Sequence, residues 1–254
     1  MLILIASITG IVGQECARAA FRAGYQVHSL ARKPNKLSKF FSEQLETFVK
    51  MKDIYEIPAL DEAVKDVDAI ISAVRFTSLS IVDGKILLLR AAERAGMKIF
   101  HAASWNYDWT RVQLGNCESY DSYIVFHNHI RLSSSIKPIY GFTGPVVDFL
   151  FHHASHRNLV HANAKTLSFY GLLGRAYEGV YGVLLEPKHL GSIGDLDRIV
   201  EQARASIYPQ RYLEYVGWVS LRLQFRGVLD YESVDSQRWN HIKRTGLQEW
   251  LEKD

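Results

Sequence analysis

The residues of this chain best placed to do chemistry fall where short apolar runs end. The run Leu2 to Ala6 passes into Ser7-Ile8-Thr9-Gly10-Ile11-Val12-Gly13, a GxxGxxG turn whose first glycine is replaced by serine. Gly10 lets the backbone come close to a phosphate, and Gly13 lets the following helix pack tightly while its first N–H groups face that phosphate. Ser7, Thr9, Gly10, Ile11, Val12 and Gly13 are therefore candidate pyrophosphate ligands. The second run ends in Ser29-Leu30-Ala31-Arg32-Lys33. An NAD site keeps a carboxylate at this point, whereas the cations of Arg32 and Lys33 suit a ribose 2′-phosphate. Asp53, after the third run, can accept from an adenine amino group, and Ala73, Val74 and Arg75, after the fourth, leave room for a nicotinamide ribose. Singly, these positions read equally well as a small-residue helix start, a solvated loop pair and a surface acid. At successive strand ends they form one expected NADP(H) pocket.

The elements that must position them follow from hydrophobic patterning. Apolar runs at Leu2–Ala6, Val27–Leu30, Leu45–Val49, Ala69–Val74 and Lys98–Ala102 alternate with amphipathic stretches at 13–23, 60–64 and 81–95, the pattern of βαβ units around a parallel sheet. Such sheets bind ligands beyond the carboxyl ends of their strands. After residue 104 aromatic side chains crowd together, and Trp105, Tyr107, Trp109 and Phe142 are candidate substrate-lining residues. A further helix is expected over 120–134, a sixth strand over 139–142 and helical turns over 146–151. Beyond residue 157 no alternation survives, although 195–206 and 212–223 carry amphipathic helical periodicity. The expected architecture is α/β: a Rossmann-type, doubly wound parallel sheet over residues 1–145 and a small, shortened carboxyl-terminal substrate lobe over residues 146–254.

Composition narrows the function classes. With 254 residues and 48% hydrophobic content the chain can bury one sizeable core and a small second lobe. A net charge of +3 without a long basic run argues against a nucleic-acid partner. No stretch is apolar enough to span a bilayer, and the start has neither a basic leader nor a cleavage-site spacing, so a cytoplasmic protein without a membrane partner is expected. Cys16 and Cys117 form no metal-binding spacing. His152 and His156 lie four apart but lack the glutamate of an HExxH site, so no metal is expected. A monomer or homodimer acting on a small molecule is the expected form.

Several segments together resemble one family. The SxxGxxG turn, Arg32-Lys33-Pro34, Val67-Asp68-Ala69-Ile70-Ile71-Ser72-Ala73, and Ala95-Gly96-Met97-Lys98-Ile99-Phe100 leading into Ser104-Trp105-Asn106-Tyr107-Asp108-Trp109 resemble the NmrA-like and isoflavone-reductase-like family of atypical short-chain dehydrogenases. The Ser-Trp-Asn-Tyr-Asp-Trp string looks like the fungal branch. Tyr140-Gly141-Phe142-Thr143-Gly144 looks like that family's strand and loop before its substrate helix, and Gly191 to Ala203 with Gly246 to Leu251 looks like its carboxyl-terminal portion.

The resemblance implies catalytic candidates and two departures. Reductases of the family keep a lysine on the helix after strand five, where this chain has His127. An imidazole there can act as general acid, or stand as a polar wall without a proton role. Tyr123 lies four residues before His127 and so shares its helix face, similar to the Tyr-x-x-x-Lys pair of ordinary short-chain dehydrogenases. Ser104 stands where that larger family keeps its catalytic serine. Tyr123 reads equally as a tyrosine packed under aromatic neighbours. The second departure is length: Ser168-Phe169-Tyr170-Gly171 passes almost directly to Tyr177-Glu178-Gly179-Val180, a shortening of the substrate lobe.

Three functions stay open on these grounds. The first is an NADPH-dependent reductase of a small aromatic or polyketide-like metabolite, acting on a carbonyl or conjugated double bond in secondary metabolism. The others are an NADP-binding redox sensor of NmrA type and a non-redox cyclase, isomerase or dehydratase on the same fold.

Overall fold

The computed structural model describes residues 1–74, 78–144, 160–161, 166–170, 186–207 and 209–230. Contacts divide the chain into two compact units, Met1–Pro145 and Val146–Asp254.

The first unit is built on β1 (Leu2–Ala6), whose continuous apolar run suits a parallel strand covered on both faces. Its side chains alternate. Ile3 and Ile5 face one core with Ala17, Ala20 and Phe41, while Leu4 and Ala6 face the other with Leu60, Leu89, Phe100, Phe126 and Ile130. Around it lie β2 (Gln26–Ala31), β3 (Thr47–Lys50), β4 (Ala69–Ser72), β5 (Ile99–Asn106) and β6 (Ile139–Phe142), all parallel, in the order β3-β2-β1-β4-β5-β6. The order reverses between β1 and β4, which opens a crevice at their carboxyl ends.

Helices α1 (Ile11–Arg22) and α2 (Lys39–Ser42) supply residues to the first core; α3 (Ile57–Ala63), α4 (Ser78–Arg94) and α5 (Glu118–Ser133) supply the second. Polar clasps fix the second layer. Arg94 of α4 reaches Asp61 of α3 at 2.5 Å, and the Arg90 guanidinium donates to the Ser133 carbonyl at 3.0 Å and its hydroxyl at 2.9 Å.

Boundaries moved where capping and pairing override hydrophobic pattern. Helix α1 starts at Ile11 rather than Gly13 because Gly10 sits at its amino-terminal cap. Strand β4 stops at Ser72 rather than Val74. Strand β5 runs four residues past Ala102, because β6 continues to pair with it across a bulge, Asn106 opposite Phe142.

In the second unit β7 (Val160–His161) runs antiparallel to β8 (Thr166–Tyr170), which is parallel to β9 (Glu186–Gly191). This sheet is absent from the sequence reading, since β7 has only two residues and β9, Glu-Pro-Lys-His-Leu-Gly, is not an apolar run. Helix α6 (Ile193–Ser206) begins with a capping box in which Ser192 and Asp195 satisfy each other's backbone N–H. Helix α7 (Val216–Phe225) is tied to α6 by Arg222–Glu201 at 2.7 Å and Arg226–Asp197 at 2.5 Å. The stretch 212–215, read as part of that last helix, lies in a tighter 3-10 turn and its exit. The expected helix over 146–151, the histidines at 152, 153 and 156, and the shortening after Tyr170 fall outside the described residues.

Candidate functional site

All six strands of the first sheet are parallel, so the residues leaving them line up along one edge. After β1 the chain turns sharply. Ser7 takes a left-handed backbone, φ +70°, donates its N–H to the Leu30 carbonyl at 2.7 Å and accepts from Gly10 N at 3.1 Å. This is the position where the GxxGxxG pattern has glycine, and the conformation explains why glycine suits it. The turn leaves no room for a side chain at Gly13: a Cβ there would stand 2.5 Å from the Ser7 carbonyl oxygen. Gly10 and Ile11 are exposed at the rim, and Thr9 and Val12 are half-buried. The first turn of α1 carries no acidic residue, so no carboxylate of that turn competes with an anion for its N–H groups and the positive end of the helix dipole. Such a turn has the geometry that could cradle a pyrophosphate.

Arg32 and Lys33 follow β2 directly and are exposed; among the described residues neither is ion-paired with a carboxylate. Two unneutralised cations one strand from the phosphate cradle suit a second phosphate group. Asp53 is exposed after β3 and accepts the Tyr55 backbone N–H at 2.8 Å through one carboxylate oxygen, which leaves the other for a ligand. Past β4, Ala73 is buried and its N–H donates to the Ala6 carbonyl at 2.9 Å, while Val74 is half-buried. Arg75 falls outside the described residues. The Ser72 hydroxyl and both amide atoms of Asn106, at the carboxyl ends of β4 and β5, are buried without a hydrogen-bond partner. Buried polar atoms left this way at a ligand edge are groups that a bound molecule would satisfy.

The aromatic residues divide into two kinds. Trp109, 1% exposed, is the hub of a cluster rather than an open wall: Tyr123 stacks on it at 5.9 Å, and His127, Tyr140 and Phe142 meet it edge-on at 5.7, 5.1 and 5.7 Å. Trp105 and Tyr107 are half-buried; the Trp105 indole donates to the Ser72 carbonyl at 3.1 Å and stacks on His101 at 4.5 Å. Burial is the main cause that holds the His101 imidazole below its ordinary pKa.

Tyr123 and His127 lie on one face of α5, as their spacing predicts, and Trp109 touches both. Tyr123 is buried; His127 is half-buried, with Nδ1 3.3 Å from the Tyr140 hydroxyl. His127 also lines a pocket of ≈ 100 Å³ with Ile130, Arg131, Ile136, Lys137, Pro138 and Tyr140. Ser104 is placed differently from the other two. Its hydroxyl is fully buried, accepts from Gly141 N at 2.8 Å and donates to the Gly141 carbonyl at 3.1 Å, so it is committed to joining β5 and β6 across the bulge.

One residue of this region is missing from the sequence reading. Lys85 on α4 is 1% exposed; its Nζ donates to the Ala103 carbonyl at 2.5 Å and lies 4.1 Å from the centroid of the Tyr123 ring. Burial pushes its amine down to about 7. The signal was present: Lys85, Leu88, Leu89 and Ala92 are spaced i, i+3, i+4, i+7, which puts a lysine inside the apolar stripe of its helix.

The profile of the NmrA-like family matches residues 1–151. The chain belongs to the NmrA-like family. No curated protein matches it. Among solved structures it is similar to isoflavone reductase, with 17% identity, TM-score 0.72 and coverage of 99% of this chain and 98% of that one. It is also similar to leucoanthocyanidin reductase of Vitis vinifera bound to NADPH, with 17% identity, TM-score 0.73 and coverage of 100% and 99%. A third is AtPrR2 with NADP+ and (+)pinoresinol, with 16% identity, TM-score 0.75 and coverage of 99% and 97%. These likenesses establish the Rossmann-type fold, shared with isoflavone reductase. Among the described residues no helix is long and apolar enough to cross a membrane, and no group of three or more His, Cys, Asp or Glu is placed to hold a metal.

Proposed function

We propose that this NmrA-like protein is an NADPH-dependent reductase of a small aromatic or polyketide-like metabolite. The observation that carries the reading is the pair Arg32 and Lys33 at the end of β2, exposed and without a carboxylate partner among the described residues, beside the Ser7–Gly13 turn. The solved neighbours printed with NADPH or NADP+ support the same cofactor. The first unit is the cofactor domain in this reading, and the second is the substrate lobe.

The chain's own groups divide the work. Backbone N–H groups of Thr9 to Gly13 take the pyrophosphate, Arg32 and Lys33 the 2′-phosphate, and Asp53 the adenine amino group. Small residues Ala73 and Val74 make space for the nicotinamide ribose, with Arg75 next in sequence. When bound, NADPH supplies a hydride to an electron-poor carbon of the substrate. Trp105, Tyr107 and Phe142 hold the substrate's apolar body with Trp109 behind them. Tyr123 and His127 stand on one face of α5 to polarise the substrate oxygen and give it a proton. Ser104 acts through the β5–β6 link. The test is NADPH oxidation in the presence of aromatic ketones and enones, with a His127→Ala variant: turnover that falls while NADPH affinity is kept supports the assignment, and full activity of that variant removes His127 from it.

A second reading, an NADP-binding redox sensor, is favoured by the absence of lysine at position 127 and by the engagement of His127 with Tyr140. It predicts NADP binding without turnover of any substrate.

A further inference from the structure

We infer that Lys85 is a positioning residue that acts through Tyr123: its ammonium, clamped between the Ala103 carbonyl and the face of the Tyr123 ring, strengthens the Tyr123 hydroxyl as proton donor to a substrate oxygen. This rests on the reductase reading above for its chemical consequence, while the coupling of Lys85 to Tyr123 stands on geometry alone.

Strand β5 and helix α5 form the clamp on Lys85. Strand β5 offers the Ala103 carbonyl to Nζ at 2.5 Å, and α5 offers the Tyr123 ring at 4.1 Å and the Phe126 ring at 5.4 Å. No carboxylate among the described residues pairs with it, so its charge is left to act on the rings. The other titratable group coupled to it is His101 of β5, which burial and, to a lesser extent, the Lys85 charge hold below its ordinary value. Among the described residues Lys85 is the fully buried cation of this layer.

A phenol that gives up its proton gains negative charge spread over the ring. A cation facing that ring stabilises the charge, the more so where water is excluded. In the reaction, hydride adds to the substrate carbon, the π-electron pair moves to oxygen, and oxygen takes the proton of the Tyr123 O–H. Water then reprotonates the phenolate, and Lys85 keeps its own proton throughout. With the amine pushed down to about 7, the assistance is present at lower pH and is lost as pH rises through neutrality. A lysine that only satisfies the Ala103 carbonyl would hold the bulge together and leave Tyr123 indifferent to this titration.

The experiment is carbon NMR of the full chain labelled at the tyrosine ring carbon bearing the hydroxyl, with the Tyr123 resonance identified by its loss in Tyr123→Phe. The resonance is expected to shift with a midpoint near the amine's value of about 7, and this step is expected to be absent in Lys85→Met and in Lys85→Arg, whose charge does not titrate. A step that persists in Lys85→Met, or no step in the wild type, overturns the inference. Turnover is read in parallel: Lys85→Met is expected to slow kcat by about tenfold to a hundredfold below neutral pH, whereas Lys85→Arg keeps it and loses the fall above neutrality. Wild-type kcat in Lys85→Met overturns the catalytic part. A Lys85-dependent NMR step with no NADPH turnover supports the coupled pair and contradicts the reductase reading alone.

Discussion

Gly13 lies against the Ser7 carbonyl so closely that a Cβ at position 13 would also meet the Ile8 Cα at 2.7 Å, a backbone atom that cannot swing aside. The cradle after β1 therefore depends on an absent side chain. Gly13→Ala is expected to cost about 1–3 kcal/mol through overpacking and to weaken NADPH binding at least about tenfold. Thermal melting and calorimetric titration of the variant check this; an unchanged midpoint and affinity would show that the turn is looser than the geometry states.

Ser7 holds a left-handed backbone without being glycine. Ser7→Gly removes a conformational cost of about 1 kcal/mol, partly offset by the greater freedom of glycine in the unfolded chain. The variant is expected to unfold at a higher urea concentration, by a gain below about 1 kcal/mol. A lower midpoint would mean that the Ser7 side chain makes a contribution larger than its strain.

Ser104 bridges Gly141 on both its N–H and its carbonyl. Ser104→Ala leaves a half-buried backbone N–H without its acceptor, so a loss of about 1 kcal/mol of stability is expected. Turnover per folded molecule stays within about threefold, whereas Tyr123→Phe lowers it by about a hundredfold. A collapse of turnover in folded Ser104→Ala would restore the serine to the chemistry.

The proton of Lys85 also links stability to pH. Below about 7 both folded and unfolded chains carry it, and the folded state bears the full penalty of a buried charge. Above that value the folded lysine releases its proton while the unfolded one keeps it up to the ordinary lysine range near 10.5. Stability contributed by this group therefore rises with pH across that window, by at most about 1.4 kcal/mol per pH unit. Urea midpoints at about pH 7 and about pH 9 are expected to rise less in Lys85→Met than in the wild type. Equal slopes would remove the buried amine from the account.

The first unit was legible because most of its strands are apolar runs and its helices carry apolar stripes that pack on the sheet. The glycine turn, Arg32-Lys33 and the Tyr123–His127 face could each be read from spacing. Two kinds of information could not. Hydroxyl partners depend on register, so Ser104 looked available until the bulge placed Gly141 against it. Side-chain depth depends on neighbouring layers, so Trp109 read as pocket lining and Lys85, within the stripe Lys85-Leu88-Leu89-Ala92, drew no reading at all. The second unit resisted because β7 spans only Val160–His161 and β9, Glu-Pro-Lys-His-Leu-Gly, is polar rather than an apolar run.

We propose that the edge of the first sheet is an NADP(H) pocket selected by Arg32 and Lys33. Calorimetric titration of the cofactor-stripped protein with NADPH and with NADH, in wild type and in Arg32→Ala, tests it most directly. NADPH should bind at least about tenfold more tightly than NADH, and Arg32→Ala should remove most of that preference while leaving NADH affinity unchanged. Equal affinity for the two cofactors, or binding of neither, would contradict the pocket and the reductase reading that depends on it.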